Sequence, residues 1–170
     1  PRVPHLAELP FYSIYRHGFV RVAVATPCVE IASPTANVAE MARIAREATA
    51  SQAILVVFPE LGISAYSNED LFQQDALLDG SVQALGTLVE ASKEIGITFA
   101  VGMPLRVDDR LFNCAVLLRR GELLGAVPKS YLPSYREFYE KRQFAPAAQA
   151  LATSIELLGQ TVPFGTRLLF

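Results

Sequence analysis

Two ionisable residues directly follow prolines at the ends of apolar runs: Glu60 in VVFPELG and Lys129 in GAVPK. Taken singly, Glu60 reads as a turn carboxylate and Lys129 as a solvated lysine. Their matched placement describes more specific chemistry. A carboxylate partly desolvated near an ammonium is suited to general-base work. A lysine held beside carboxylates supplies a fixed positive charge for a developing oxyanion. Metal chemistry finds no footing, because His5 and His17 are the only histidines and neither joins Cys28 or Cys114 at ligand spacing.

The elements on either side must bring these residues together. FVRVAVAT, residues 19–26, alternates and is rich in β-branched residues, which predicts a strand. Ser33 and Pro34 supply an N-cap and a first helical residue. Val38, Met41, Ala45 and Ala48 then recur on one face, opposite Glu40, Arg43 and Glu47, as in an amphipathic helix. The continuous apolar run AILVVF, 53–58, fits a strand covered on both faces. A loop and a short helix near 69–79 follow. A second long helix is marked by Val82, Leu85, Leu88, Val89 and Ile95 and stopped by Gly96. A third strand is expected at 97–103.

This alternation favours right-handed crossovers and a parallel sheet. The next stretch, LFNCAVLLRRGELLGAVPK, reads as a hairpin with its turn at Arg120 and Gly121. Its first strand, near 111–118, runs against the others, and its second, near 122–128, runs with them again. Ligands of open α/β sheets bind beyond the carboxyl ends of the strands. If the strands share one sheet, Glu60 and Lys129 reach the same edge. The stretch after Pro146 reads as loop, and 155–170 as further strand material.

The chain has 170 residues, of which 51% are apolar and 19% charged, a globular balance sufficient for one domain with a core. Fifteen basic residues, spread out, face 17 acidic ones, which argues against nucleic-acid or anionic-membrane partners. No apolar run reaches the roughly 18 residues of a membrane span. Two cysteines make no disulfide framework, so a cytoplasmic setting is the default. No GxGxxG fingerprint or phosphate loop supports a nucleotide-binding Rossmann domain. Residues 1–10 read as an N-terminal extension and 11–170 as one domain. Because the chain begins with Pro and stops inside the strand-like TRLLF, it is expected to be part of a longer protein.

FPELGISAY and PKSYLPSYREFYEKRQF resemble the nitrilase superfamily, whose members cleave carbon–nitrogen bonds with a Glu, Lys and Cys set. FYSIYRHGFVRVAVAT and the residues from Tyr131 to Phe144 more narrowly resemble the glutaminase domains of bacterial glutamine-dependent NAD synthetases. The likeness runs from about Phe11 to Phe170. It implies a four-layer α-β-β-α sandwich, of which this chain covers the N-terminal part. Glu60 would be the general base and Lys129 the stabiliser of the tetrahedral intermediate. Glu137 would be the second glutamate found near the lysine, although it also reads as a helix-start acid beside Arg136. Tyr66, Tyr135 and Phe138 match positions that shape the glutamine pocket. Asn113 fits the family's hairpin, in a structural more than a catalytic role, and His17 likewise.

The resemblance further implies L-glutamine as substrate and ammonia passed to the protein's own synthetase domain. That domain would hold ATP and Mg²⁺ and convert deamido-NAD to NAD; this chain itself would need no cofactor. A homo-oligomer is implied as well. The departure is the nucleophile. No cysteine lies between Lys129 and Phe170, Cys28 lies outside any matching motif, and Cys114 falls within a hairpin strand. These 170 residues alone are thus expected to be inactive, with the nucleophile beyond Phe170. A stand-alone amidase and a non-catalytic assembly module of the same fold are the competing readings.

Overall fold

The structure, a computed structural model, describes residues 9–170. Most of the expected N-terminal extension, His5 included, lies outside the described residues. The elements run β1 (Val22–Val24), α1 (Pro34–Ala50), β2 (Leu55–Val57), α2 (Asp75–Ile95), β3 (Thr98–Val107), β4 (Arg110–Arg119), β5 (Glu122–Pro128), α3 (Glu140–Gln143), β6 (Ser154–Leu157) and β7 (Gln160–Pro163). The first five strands form one sheet in sequence order, and β6 with β7 forms a separate hairpin.

β1, β2 and β3 are parallel, and β4 is antiparallel to β3 and to β5. The two reversals expected from the sequence are present, so β5 again runs with β2. Each reversal is a two-residue turn with both central residues at positive φ. These are Asp108 and Asp109 (49° and 59°), then Arg120 and Gly121 (51° and 86°). Such turns match the right-handed twist of the strands they join.

Within β3 and β4 the side chains alternate between two environments. Phe99, Val101, Met103 and Leu105 stand in register with Leu118, Val116, Cys114 and Phe112. All eight belong to the main core, together with the apolar faces of α1 and α2. Gly102, Asn113 and Ala115 belong to the opposite face.

Several boundaries differ from the sequence reading. β1 is three residues long, not eight, and its Val22 and Val24 are exposed. Ser33 holds the N-cap position of α1 without a side-chain cap bond. The second long helix starts seven residues before Val82. Gln74 adopts extended backbone and separates it from a 3-10 turn at Glu69–Gln73, and buried Leu77 and Leu78 continue its apolar face. Gly96 ends α2 at φ 79° as expected. Of 155–170, only β6 and β7 contain strand. Phe170 and Leu168 instead lie over Gly125 of β5, where an added Cβ would sit 2.7 Å from the Phe170 ring.

One glycine governs the chain after β2. A Cβ at Gly102 would come within 2.3 Å of the Leu61 nitrogen and 2.7 Å of the Pro59 oxygen. The turn from Pro59 to Leu61 therefore crosses directly over β3. It is held there by the Ile63 amide, which donates to the Gly102 carbonyl at 3.1 Å. Gly102→Ala is expected to destabilise the fold by about 2 kcal/mol, the usual scale of overpacking. Gly80→Ala, inside α2 with only Pro34 at 3.9 Å, should instead stabilise it by about 0.5–1 kcal/mol. Denaturant unfolding of the two variants checks both signs.

Candidate active site

β2 and β5 are separated by β3 and β4, so their ends stand about 14 Å apart at ordinary strand spacing. The crossing turn carries Glu60 over β3, and the lysine side chain covers the remaining gap. Lys129 Nζ donates to Glu60 Oε1 at 2.6 Å. A cleft of about 500 Å³ opens above them, its wall including Pro59, Glu60, Gly102, Asn113, Ala115 and Lys129.

The crossing turn is strained and then pinned. Leu61 and Ala65 have φ of 51° and 71°, conformations that cost a non-glycine residue on the order of 1 kcal/mol or more each. Buried asparagines hold it from both sides. Asn37 of α1 donates to the Ile63 carbonyl at 3.0 Å, and Asn68 donates to the Ser64 and Ala65 carbonyls at 2.7 and 2.6 Å. Leu61 itself is fully buried in a small second core with Phe72, Leu77, Leu132 and Phe144.

A second carboxylate reaches the lysine, and it is Glu140 in place of Glu137. Glu140 Oε1 accepts from Lys129 Nζ at 2.9 Å and from the Tyr66 hydroxyl at 2.7 Å. The Glu140 side chain is 4% exposed. Glu137 is exposed and makes no hydrogen bond or ion pair among the described residues, although it borders a small cavity shared by Tyr66 and Glu140. Glu140 opens α3, and the Phe144 amide closes the turn onto its carbonyl at 2.7 Å. The sequence held a usable signal: buried Phe144 is four residues beyond Glu140, one helical turn away on the same face. Glu137 lies three residues before that turn begins.

Tyr66, Phe138 and Tyr135 form an edge-to-face series, with ring centroids 6.5 Å and 5.6 Å apart. Of the three, Tyr66 touches the charged group, through Glu140. Tyr135 is well exposed. Cys114 is buried on the helix side of β4, and burial pushes its thiol well above the usual range. Cys28 is exposed after β1 and is not part of the cleft wall.

The electrostatics follow from this chain of contacts. Burial of Lys129 works against its ammonium, but the hydrogen bonds and charges of Glu60 and Glu140 outweigh that penalty and raise it above the ordinary lysine value. Burial raises the Tyr66 phenol, and its hydrogen bond to Glu140 raises it further, so it stays a donor. The arrangement keeps a cation fixed between two carboxylates at the floor of an open cleft. That suits stabilisation of an oxyanion, with Glu60 at the cleft wall to move a proton.

A helical layer on a mixed sheet, with this glutamate–lysine–glutamate chain at the strand ends, is of the nitrilase-like α/β class. The carbon-nitrogen hydrolase family matches residues 21–166, and the chain belongs to that family. It is 51% identical over 160 residues to the glutamine-dependent NAD(+) synthetase of Mycobacterium tuberculosis, covering 94% of this chain and 23% of that protein. Identity to the protein of the same name from Mycobacterium leprae is 44% over 162 residues, 95% of this chain and 24% of the other. The chain thus spans about a quarter of the length of the curated relatives it matches.

Among solved structures, a glutamine-dependent NAD(+) synthetase from Cytophaga hutchinsonii superimposes with a TM-score of 0.79 at 25% identity. The match covers 86% of this chain and 25% of that one. An amidase from Nesterenkonia sp. shares the fold, with a TM-score of 0.66 at 22% identity over 84% of this chain and 53% of that one. Of the four-layer arrangement expected from the sequence, the described residues form one helical layer and one sheet. No helix among them is long and apolar enough to cross a membrane.

A lysine value raised in the folded state means stability that is complete below the unfolded value, about 10.4, and lost as pH rises through the higher folded value. Lys129→Met is therefore expected to lower stability by about 2 kcal/mol near neutrality, because it leaves the buried Glu140 carboxylate facing Glu60 without a cation. The gap between wild type and variant should stay level from pH 7 to 9 and close only above about pH 10.4. Thermal unfolding across that range measures it.

Proposed function

We propose that this chain is the glutaminase portion of a glutamine-dependent NAD synthetase, hydrolysing the amide of L-glutamine to glutamate and ammonia. The Glu60–Lys129–Glu140 chain of contacts at the cleft carries the reading, supported by the 51% identity over nearly the whole chain to the mycobacterial synthetase. In this reading a cysteine thiol is supplied by the part of the relatives' length beyond these residues, since neither Cys28 nor Cys114 is placed to attack.

Glu60 takes the thiol proton as the sulfur adds to the amide carbon. Lys129 then faces the negative oxygen of the tetrahedral intermediate. Collapse breaks the carbon–nitrogen bond, the proton passes from Glu60 to the departing nitrogen, and ammonia leaves behind a thioester. Glu60 then activates a water, which hydrolyses the thioester to glutamate and restores the thiol. Glu140 and the Tyr66 hydroxyl hold the lysine in place throughout. Tyr66, Phe138 and Tyr135 shape the approach of the substrate, and Glu137 borders that approach without touching the reacting groups.

The ammonia would serve a synthetase domain of the same protein that binds ATP and Mg²⁺ and amidates deamido-NAD. The whole would be a cytoplasmic ligase and a homo-oligomer. In the protein that carries this chain, Glu60→Gln and Lys129→Ala are each expected to lower glutamine hydrolysis at least a hundredfold while leaving the fold intact. Synthesis of NAD from free ammonia should continue in both. Retention of glutaminase activity by Glu60→Gln overturns the reading.

A further inference from the structure

Asn113 lies on β4, midway between the two charged residues, and is 4% exposed. Its Nδ2 donates to Glu60 Oε1, the same oxygen that takes Lys129 Nζ at 2.6 Å. Its main-chain carbonyl accepts from the Lys129 amide at 2.8 Å. One residue thus grips the carboxylate with its side chain and the lysine with its backbone. Both donors to Glu60 fall on Oε1, and Oε2 receives none among the described residues.

We infer that Asn113 is a positioning residue that fixes which oxygen of Glu60 works: Oε1 is anchored by two donors, and Oε2 is presented to the cleft to take the proton. This rests on the proposed amide hydrolysis. The terminal torsion of a glutamate is broad and nearly two-fold, so a carboxylate held by one flexible lysine alone turns freely between its oxygens. A donor on a strand interior cannot follow that rotation. It removes the freedom before substrate arrives, which is the geometric condition for fast proton transfer.

The residue type is informative. Aspartate has the same shape but, when ionised, no donor, and it would face Glu60 with like charge. Leucine fills the space with no polar atom at all. The charged and titratable groups around Glu60 are Lys129 from the end of β5, Glu140 from α3 behind it, and Tyr66 from the crossing loop. None of these offers a second neutral donor from the sheet.

The test uses Asn113→Asp and Asn113→Leu in the whole protein, with kcat and KM measured separately for glutamine hydrolysis. Both variants are expected to lose kcat by about a hundredfold with KM changed less than threefold. A purely space-filling asparagine predicts instead that the isosteric Asn113→Asp keeps wild-type kcat, and that result overturns the inference. Should either variant unfold, Asn113→Ser, which is smaller and cannot reach the carboxylate, replaces it. If the wild type hydrolyses no amide, the proposed function fails separately. Crystal structures of the variants then decide the positioning role: a turned or split Glu60 carboxylate supports it, and an unmoved one overturns it.

Discussion

The site depends on a close approach of backbone to backbone. Glu60 leaves the sheet two strands away from β4 and three from β5, too far for its carboxylate to meet a lysine at the end of β5. The chain closes that distance by laying Pro59, Glu60 and Leu61 across β3 at the one residue without a side chain, Gly102. Everything charged in the cleft follows from that crossing. It sets where Oε1 lies, which determines that Lys129 and Asn113 share it. The strained φ at Leu61 and Ala65 is the cost of the crossing, offset by burial of Leu61 and by hydrogen bonds from Asn37 and Asn68.

The second half of the site is built by different means. Lys129 leaves a regular strand end, while Glu140 is delivered by one short helical turn whose packing partner is a separate small core. Phe72 and Phe144 meet at 5.0 Å in that core, and Arg142 pairs with Asp70 outside it. The loop carrying Tyr66 and the turn carrying Glu140 are therefore docked to each other through this small core, which rests on the sheet only at Leu111 of β4. Their meeting point is the hydrogen bond between those two side chains, and it lies directly behind the lysine.

Much of this was legible in the residue order. Alternating strands and helices, two reversals of direction, one of them a tight turn, and two prolines at strand ends were enough to send Glu60 and Lys129 to one edge. Glu140 was missed because the resemblance was carried onto Glu137, and only the burial of Phe144 one turn later distinguishes the two. Gly102 was hidden inside ITFAVGM, where a glycine reads as a weak strand residue and not as room for a crossing chain. The donor role of Asn113 was invisible for a similar reason: it requires the register of β4 against β3 together with the path of the loop above. Alternation finds β1 but not its extent, since the pattern of FVRVAVAT continues on both sides of the three residues that pair.

The two-residue reversals on either side of β4 carry a consequence for how this sequence can change in length. Adjacent residues on a strand face opposite ways, so inserting or deleting one amino acid beside either turn, with the two-residue turn kept and the register slipped by one, would send every side chain of β4 to the opposite face. Asn113 would then be turned into the oily interior and Cys114 outward into the cleft, exchanging an amide for a sulfhydryl beside the glutamate. Length drift across descendants of this gene should accordingly spare Asp108–Asp109 and Arg120–Gly121 and gather between Pro146 and Ser154, where no strand register is at stake.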